Sequence, residues 1–247
     1  MKKLITLFVL TLVIVSCKTE PKKVVKEEKN NFPESLSKVL KKHGGIDSWR
    51  KQKVLSFNKG EEAHTVDLHS RKTVITSPTY SYGFDGENLW VSDTTVFKKD
   101  PKFYYNLYFY FYAMPFVLAD DGIVYSEAKE IEFEGKKYPG IKISYKANVG
   151  TSPDDNYFLY YNPDTFNMEW LKYSVTYFSK KTSTKFNLIK YNEWVSVNGF
   201  ELPKQLTWYK QDENGNPTEP AREPIEFTLP LVSQGELDDS FFKKPKE

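Results

Sequence analysis

The segment DPKFYYNLYFYFYAMPF, Asp100 to Phe116, carries nine aromatic residues in its last fourteen positions. Asp100 before Pro101 has the form of a helix N-cap with proline at the first helical position, and Met114-Pro115 is where a helix would have to stop. These signals predict a helix of about three to four turns. Tyr104, Tyr108 and Tyr112 would share one face, Tyr105 and Phe109 the next, and Leu107 and Phe111 the next. A helix without a polar stripe must be surrounded on most sides, which in a water-soluble domain means enclosure by a sheet. A second period competes: Phe103, Tyr105, Leu107, Phe109 and Phe111 also alternate as a two-sided strand would, and aromatics favour strands. The cap and the stop favour the helix. In either form the segment is interior, and its tyrosine hydroxyls need partners or water.

On the N-terminal side, Leu36, Val39 and Leu40 stand at helical spacing within residues 35–43, Gly44-Gly45 ends that helix, and Asp47 is placed to cap a short second one carrying Trp49. From Val54 onward the pattern becomes strands and turns. His64, Val66 and Leu68 alternate with polar neighbours, as do Tyr80, Tyr82 and Phe84, and Asp85-Gly86 and Asn198-Gly199 are hairpin signals. Further strands are expected near residues 131–133, 141–145, 157–161, 168–178, 186–194, 200–209 and 226–232, with residues 212–222 as a polar loop. Strands recurring this regularly predict a mainly β (α+β) fold whose antiparallel sheet curls into a partial or complete barrel.

The N-terminus is the other informative stretch. Lys2 and Lys3 precede an apolar run from Leu4 to Val15, too short to span a bilayer but suited to a signal peptide. Ile14-Val15-Ser16-Cys17 resembles a bacterial lipobox, so residues 1–16 are expected as a signal peptide and Cys17 as a lipidated N-terminus. Residues 17–33 are then a charged tether and residues 34–247 a single domain. Cys17 is the one cysteine, which leaves no disulfide framework. Removing residues 1–16 leaves 33 basic and 33 acidic residues, a balance that gives no electrostatic reason to expect nucleic acid as partner. The expected location is the bacterial cell envelope, at the outer membrane, as a lipid-anchored monomer.

Five stretches in fixed order, KKHGGIDSW, YGFDGENLW, YNPDTFNMEWLKY, VNGFELPKQL and LDDSFF, resemble the periplasmic lipoprotein carrier fold. The likeness spans about residues 34–243 and is nearest to a group of Gram-negative envelope lipoproteins related to those carriers. It implies a strongly curved, half-open antiparallel β-barrel with helices packed in its concave face, enclosing an apolar cavity for acyl chains. An anchored chain of this kind is similar to the outer-membrane lipoprotein acceptor of the same fold. The resemblance carries no catalytic signature.

Residues placed for chemistry are few. On one strand His64 and His69 would face opposite ways and could not share a metal, although Asp67 and His69 would share a face. The acidic pairs Glu61-Glu62, Asp120-Asp121, Asp154-Asp155 and Asp238-Asp239 all sit near turn signals. No GxSxG, phosphate loop or dinucleotide fingerprint is present. No enzyme, cofactor or metal is therefore expected. Trp90, Tyr104, Tyr108, Phe109, Tyr112, Met114, Phe116, Trp170 and Trp208 are the residues expected around an interior, ligand-holding space. The expected function is non-enzymatic binding of a lipid or lipoprotein acyl chain. The alternatives are a fully packed barrel serving as a scaffold for protein or glycan, and a hydrolase built on His69, Asp67 and a distant partner. Replacing Cys17 by Ser is expected to move the protein from the membrane to the soluble fraction of the envelope; retention in the membrane would contradict a lipid anchor.

Overall fold

The computed structural model describes residues 32–145, 156–179, 181 and 183–246. Cys17, the expected signal peptide and Asp154-Asp155 lie outside the described residues. Helix α1 (Glu34–Lys42) buries Leu36, Val39 and Leu40 along one stripe and closes with Gly45 N–H donating to the Leu40 carbonyl at 2.8 Å. Gly44 allows this end to meet the sheet, since a Cβ there would stand 2.5 Å from the Gly199 carbonyl oxygen. Helix α2 (Ile46–Trp49) starts at Gly45 without a side-chain cap, so Asp47 lies in its first turn and not at the expected cap.

The strands follow as β1 (Val54–Lys59), β2 (Glu62–Asp67), β3 (Thr73–Thr76), β4 (Ser81–Phe84) and β5 (Leu89–Val91). Two short helices interrupt them, α3 (Pro101–Tyr104) and α4 (Leu107–Tyr112), then a 3₁₀ turn over Phe116–Ala119. The chain resumes with β6 (Ile123–Phe133), β7 (Lys136–Tyr145), β8 (Tyr157–Tyr161), β9 (Met168–Tyr173), β10 (Asn187–Val197), β11 (Phe200–Gln211), β12 (Pro217–Pro220) and β13 (Ile225–Ser233). These thirteen strands make one antiparallel sheet in the order β5-β4-β3-β2-β1-β13-β11-β10-β9-β8-β7-β6, with β12 beside β11. The fold is the expected curved, half-open barrel: the edges β5 and β6 do not pair, and a seam remains between them. Asn198 and Gly199 both take positive φ, 50° and 86°, which suits the tight β10–β11 turn. The polar loop expected at residues 212–222 contains β12, and the strand expected to reach Phe178 ends at Tyr173.

The aromatic segment is helical, and it is broken. Asp100 caps α3, its carboxylate accepting from the Lys102 N–H at 2.9 Å with Pro101 at the first position. The helix yields at Tyr105-Asn106 and restarts at Leu107. The break divides the aromatics: Tyr104 and Tyr105 pack with Tyr82 and Phe97 of one sheet arm, whereas Phe109, Phe111 and Tyr112 enter the main core. That core is shared by both arms. Phe57 of β1 stacks on Tyr112 at 4.1 Å, while Tyr173 of β9 and Trp208 of β11 meet Phe111 at 5.2 Å and 5.8 Å. Short helices leave carbonyls without intrahelical donors, and here distant side chains supply them. Tyr191 donates to the Phe111 oxygen at 2.9 Å, Tyr125 to that of Leu118 at 2.6 Å, and Arg50 to that of Ala119 at 3.1 Å.

His43, wholly buried, joins α1 to the sheet. Its Nδ1 bonds the Glu201 carbonyl at 3.2 Å and its Nε2 accepts from the Met168 N–H at 3.1 Å, which assigns the proton to Nδ1 in a neutral ring. Burial pushes its pKa down to about 4. The unfolded chain then binds a proton near pH 6.5 that the folded chain refuses until about pH 4. Stability is expected to fall by about 3 kcal/mol as pH drops through that window, and His43→Gln to flatten the dependence in urea unfolding at several pH values. Equal pH slopes for both proteins would contradict the assignment. Phe116, stacked 4.2 Å from Trp49 with an interplanar angle of 6°, is expected to cost about 3–5 kcal/mol on replacement by Ala in the same assay.

Candidate functional site

Beside α3 and α4 runs a cleft of about 480 Å³, placed where the sheet fails to close. Its floor is one face of the helical segment, formed by Leu107, Phe111, Met114 and Leu118. One wall is the β4–β5 hairpin with Phe84 and Leu89, and the other is the ends of β7, β8 and β9 with Tyr145, Tyr157 and Tyr173. These tyrosines form a continuous surface. Tyr157 stacks with Tyr173 at 6.3 Å and 13°, and Tyr145 meets Tyr157 edge-on at 6.1 Å. Burial pushes the pKa of Tyr173 and of Tyr110, also in the lining, above that of a free phenol, so both hydroxyls are neutral at physiological pH. The charged residues of the lining are Glu87 in the β4–β5 turn, Lys102, Asp120 and Asp121. Lys102 stands at one end, and Asp120 and Asp121 at the other, where Arg71 holds Asp120 through two bonds of 2.9 Å and 3.1 Å.

Of the nine residues expected to surround the space, Met114 lines the cleft. Tyr108, Phe109 and Trp208 touch lining residues from the core side, through Phe111, Tyr110 and Phe111 in turn, whereas Tyr112 and Phe116 pack on Phe57 and Trp49 in the main core. Lys59 lies over Tyr108 at 4.5 Å and Arg71 over Phe109 at 4.7 Å, and Trp208 donates to the Tyr173 hydroxyl at 3.1 Å beneath the Arg222 guanidinium, 3.6 Å above its ring. Tyr104 packs with the Tyr82 and Phe97 cluster. Trp90 and Trp170 stand elsewhere, which corrects the expectation. Trp90 packs on Val74 and Phe242 and donates to the Phe242 carbonyl at 2.8 Å. Trp170, fully buried, joins Ile131, Tyr138, Tyr160 and Leu188 in a cluster separate from the main core. The lining that sequence reasoning missed, Phe103, Leu107, Phe111 and Leu118, recurs together with Met114 every three or four residues; that stripe was a readable signal.

Next to α3 and α4, on the other arm, is a box of buried charge. Glu62, 5% exposed, accepts from Tyr80 at 2.7 Å and pairs with Lys59 at 2.8 Å, with Lys99 at 3.9 Å. Burial would raise its pKa, but the surrounding donors outweigh burial and hold the carboxyl far below the usual range. His64 is buried rather than exposed, stacked on Phe57 at 4.8 Å, and its Nε2 stands 3.7 Å from Glu62, beyond hydrogen-bond reach. Burial lowers its pKa. The hydrolase arrangement is not assembled. Asp67 accepts from the His69 and Ser70 N–H groups and the Ser70 hydroxyl, and the exposed His69 ring turns to the Arg50 carbonyl at 3.1 Å. Among the described residues no group of three or more His, Cys, Asp or Glu side chains is placed to hold a metal. No described helix is long and apolar enough to cross a membrane.

The model of a family of unknown function, DUF6503, matches residues 35–219. No curated protein matches the chain. Among solved structures, a LolA superfamily protein from Nitrosomonas europaea is similar at 8% identity and a TM-score of 0.37, over 77% of this chain and 87% of that one. A DUF1329 family protein from Desulfovibrio piger is 12% identical, with a TM-score of 0.45, over 85% and 95%. An outer membrane lipoprotein-sorting protein domain from Vibrio parahaemolyticus is 7% identical, with a TM-score of 0.35, over 82% and 96%.

Glu62→Gln is expected to cost on the order of 3 kcal/mol in urea unfolding, because it leaves the Lys59 ammonium without its counter-charge. A variant as stable as the parent would contradict the account of this box.

Proposed function

The chain belongs to the DUF6503 family, whose function is unknown, and we propose that it is a non-enzymatic, lipid-anchored envelope protein that holds an acyl chain in the seam cleft. The cleft itself supports the reading most. Its 480 Å³ falls within the size range of ligand pockets, and its lining is largely aromatic and aliphatic with few polar groups, as such pockets are. A chain of about fourteen methylenes would gain on the order of 11 kcal/mol from burial at about 0.8 kcal/mol each, before association costs of several kcal/mol. Polar groups at both ends of the cleft, Lys102 at one and Asp120 and Asp121 at the other, give a headgroup a place to stay hydrated. Cys17 would hold the domain at the envelope membrane through a charged tether. A barrel acting purely as a scaffold has no need of an apolar cleft at its seam.

The test uses residues 32–247, a unit that holds every described strand and the whole described core. Native mass spectrometry with long-chain fatty acids and phospholipids is expected to show one acyl lipid per protein. Leu107→Trp, which fills the floor, is expected to lower loading at least about tenfold at unchanged circular dichroism. Failure of the parent domain to load any acyl lipid would contradict the proposal.

A further inference from the structure

At its Lys102 end the cleft meets three rings that are not part of the main core. Phe178 is 67% exposed and stands 4.9 Å from Phe103 and 5.0 Å from Tyr177, which are themselves 5.1 Å apart. Phe103 and Tyr177 line the cleft, so the exposed ring continues its apolar surface outward. The position is held: the Tyr177 hydroxyl donates to Asp100 Oδ2 at 3.2 Å, which ties the segment after β9 to the cap of α3. Leaving a phenylalanine in water beside two more rings forfeits burial that a folded chain normally takes.

The charge in the segments that carry these rings points to what covers them. Lys98, Lys102, Lys181 and Lys185 are exposed, and among the described residues none of the four is ion-paired with a carboxylate. The two nearby acids in sequence are engaged locally, Asp100 by the Lys102 N–H and Tyr177, and Asp93 by the Thr95 N–H and hydroxyl. Val96, two residues before Lys98, is a further exposed apolar side chain at 46%. Aromatic rings bordered by lysines match the interface of a bilayer, where rings settle at headgroup level and ammonium groups meet lipid phosphates. In a nearly balanced chain, residues 93–102 carry three lysines against two aspartates, and residues 177–185 three lysines and no acid.

We propose that this end of the cleft is a docking face for a bilayer bearing anionic headgroups, with Phe178 inserted at the interface and Lys98, Lys102, Lys181 and Lys185 against the phosphates. Docking there would bring the mouth of the cleft to the lipid surface, so that an acyl chain could pass between bilayer and cleft without crossing water. The inference goes beyond acyl binding and is tested separately from it, since vesicle binding needs no ligand in the cleft.

The test is flotation of residues 32–247, which lack the expected anchor, with vesicles of phosphatidylcholine alone or mixed with phosphatidylglycerol. Binding is expected to the mixed vesicles, weakening as salt rises. Phe178→Ser is expected to lower binding about tenfold, and the double variant K98E/K181E to abolish the preference for phosphatidylglycerol while binding lipid no better. Both substitutions are at exposed positions, and thermal melts of the variants serve as the folding control. Mixed-vesicle binding unaffected by Phe178→Ser would overturn the proposal. So would no binding to any vesicle, which would assign the exposed rings to a protein partner instead.

Discussion

Three backbone carbonyls, those of Phe111, Leu118 and Ala119, carry the constraint from which the architecture follows. They lie in a helical segment too short and too broken to satisfy its own backbone, and each receives a donor from a different part of the chain: Tyr191 on β10, Tyr125 on β6, and Arg50 just after α2. A buried carbonyl left without a donor costs about 1–3 kcal/mol. The segment is therefore stable only where all three donors converge, which is inside the curve of the sheet. The aromatic stacks on Phe57 and Trp49 then add apolar burial to a position that hydrogen bonding has already specified.

The same constraint produces the cleft. A plug fastened to β1 through Phe57, and to β9, β10 and β11 through Tyr173, Tyr191 and Trp208, fills the part of the hollow that those strands surround. Its remaining face, Leu107 to Leu118, looks toward the gap between the two sheet edges, where no strand covers it. Tyrosines serve this boundary well because each combines a ring that packs with a hydroxyl that tolerates water. On the opposite side the Glu62 box joins Lys59, Lys99 and Tyr80 where the plug begins. Unlike the cleft it is filled with paired charge, and it acts as a structural fastening.

Much of the fold could be read from residue patterns alone. Asp100-Pro101 capped a helix as its chemistry dictates, Gly44-Gly45 ended α1, and Asn198-Gly199 turned a hairpin. The interruption at Tyr105-Asn106 was hidden because the aromatic pattern runs through it unbroken; what separates Tyr104 from Tyr108 is the tertiary pull of the Tyr82 and Phe97 cluster. Strand β12 was hidden for the opposite reason, since Pro217 to Pro220 shows no alternation and pairs only because β11 is long. At the site, aromatic size alone could not distinguish lining from support. Trp90 and Trp170 have the same residue type and strand setting as Trp208, and only the curl of the sheet decides which side each faces. The 103-107-111-114-118 stripe held the missing information. Its spacing named a face of the plug, but the open seam opposite that face is a property of the whole sheet, beyond any local pattern.

The most direct test of an acyl-holding seam is nuclear magnetic resonance of residues 32–247 with a spin-labelled stearate. The account predicts paramagnetic broadening concentrated on the methyl groups of Leu89, Leu107, Met114, Val117 and Leu118, with Val66, Ile189 and Leu188 unaffected. Broadening centred on the Trp170 cluster, or spread evenly over the surface, would contradict it.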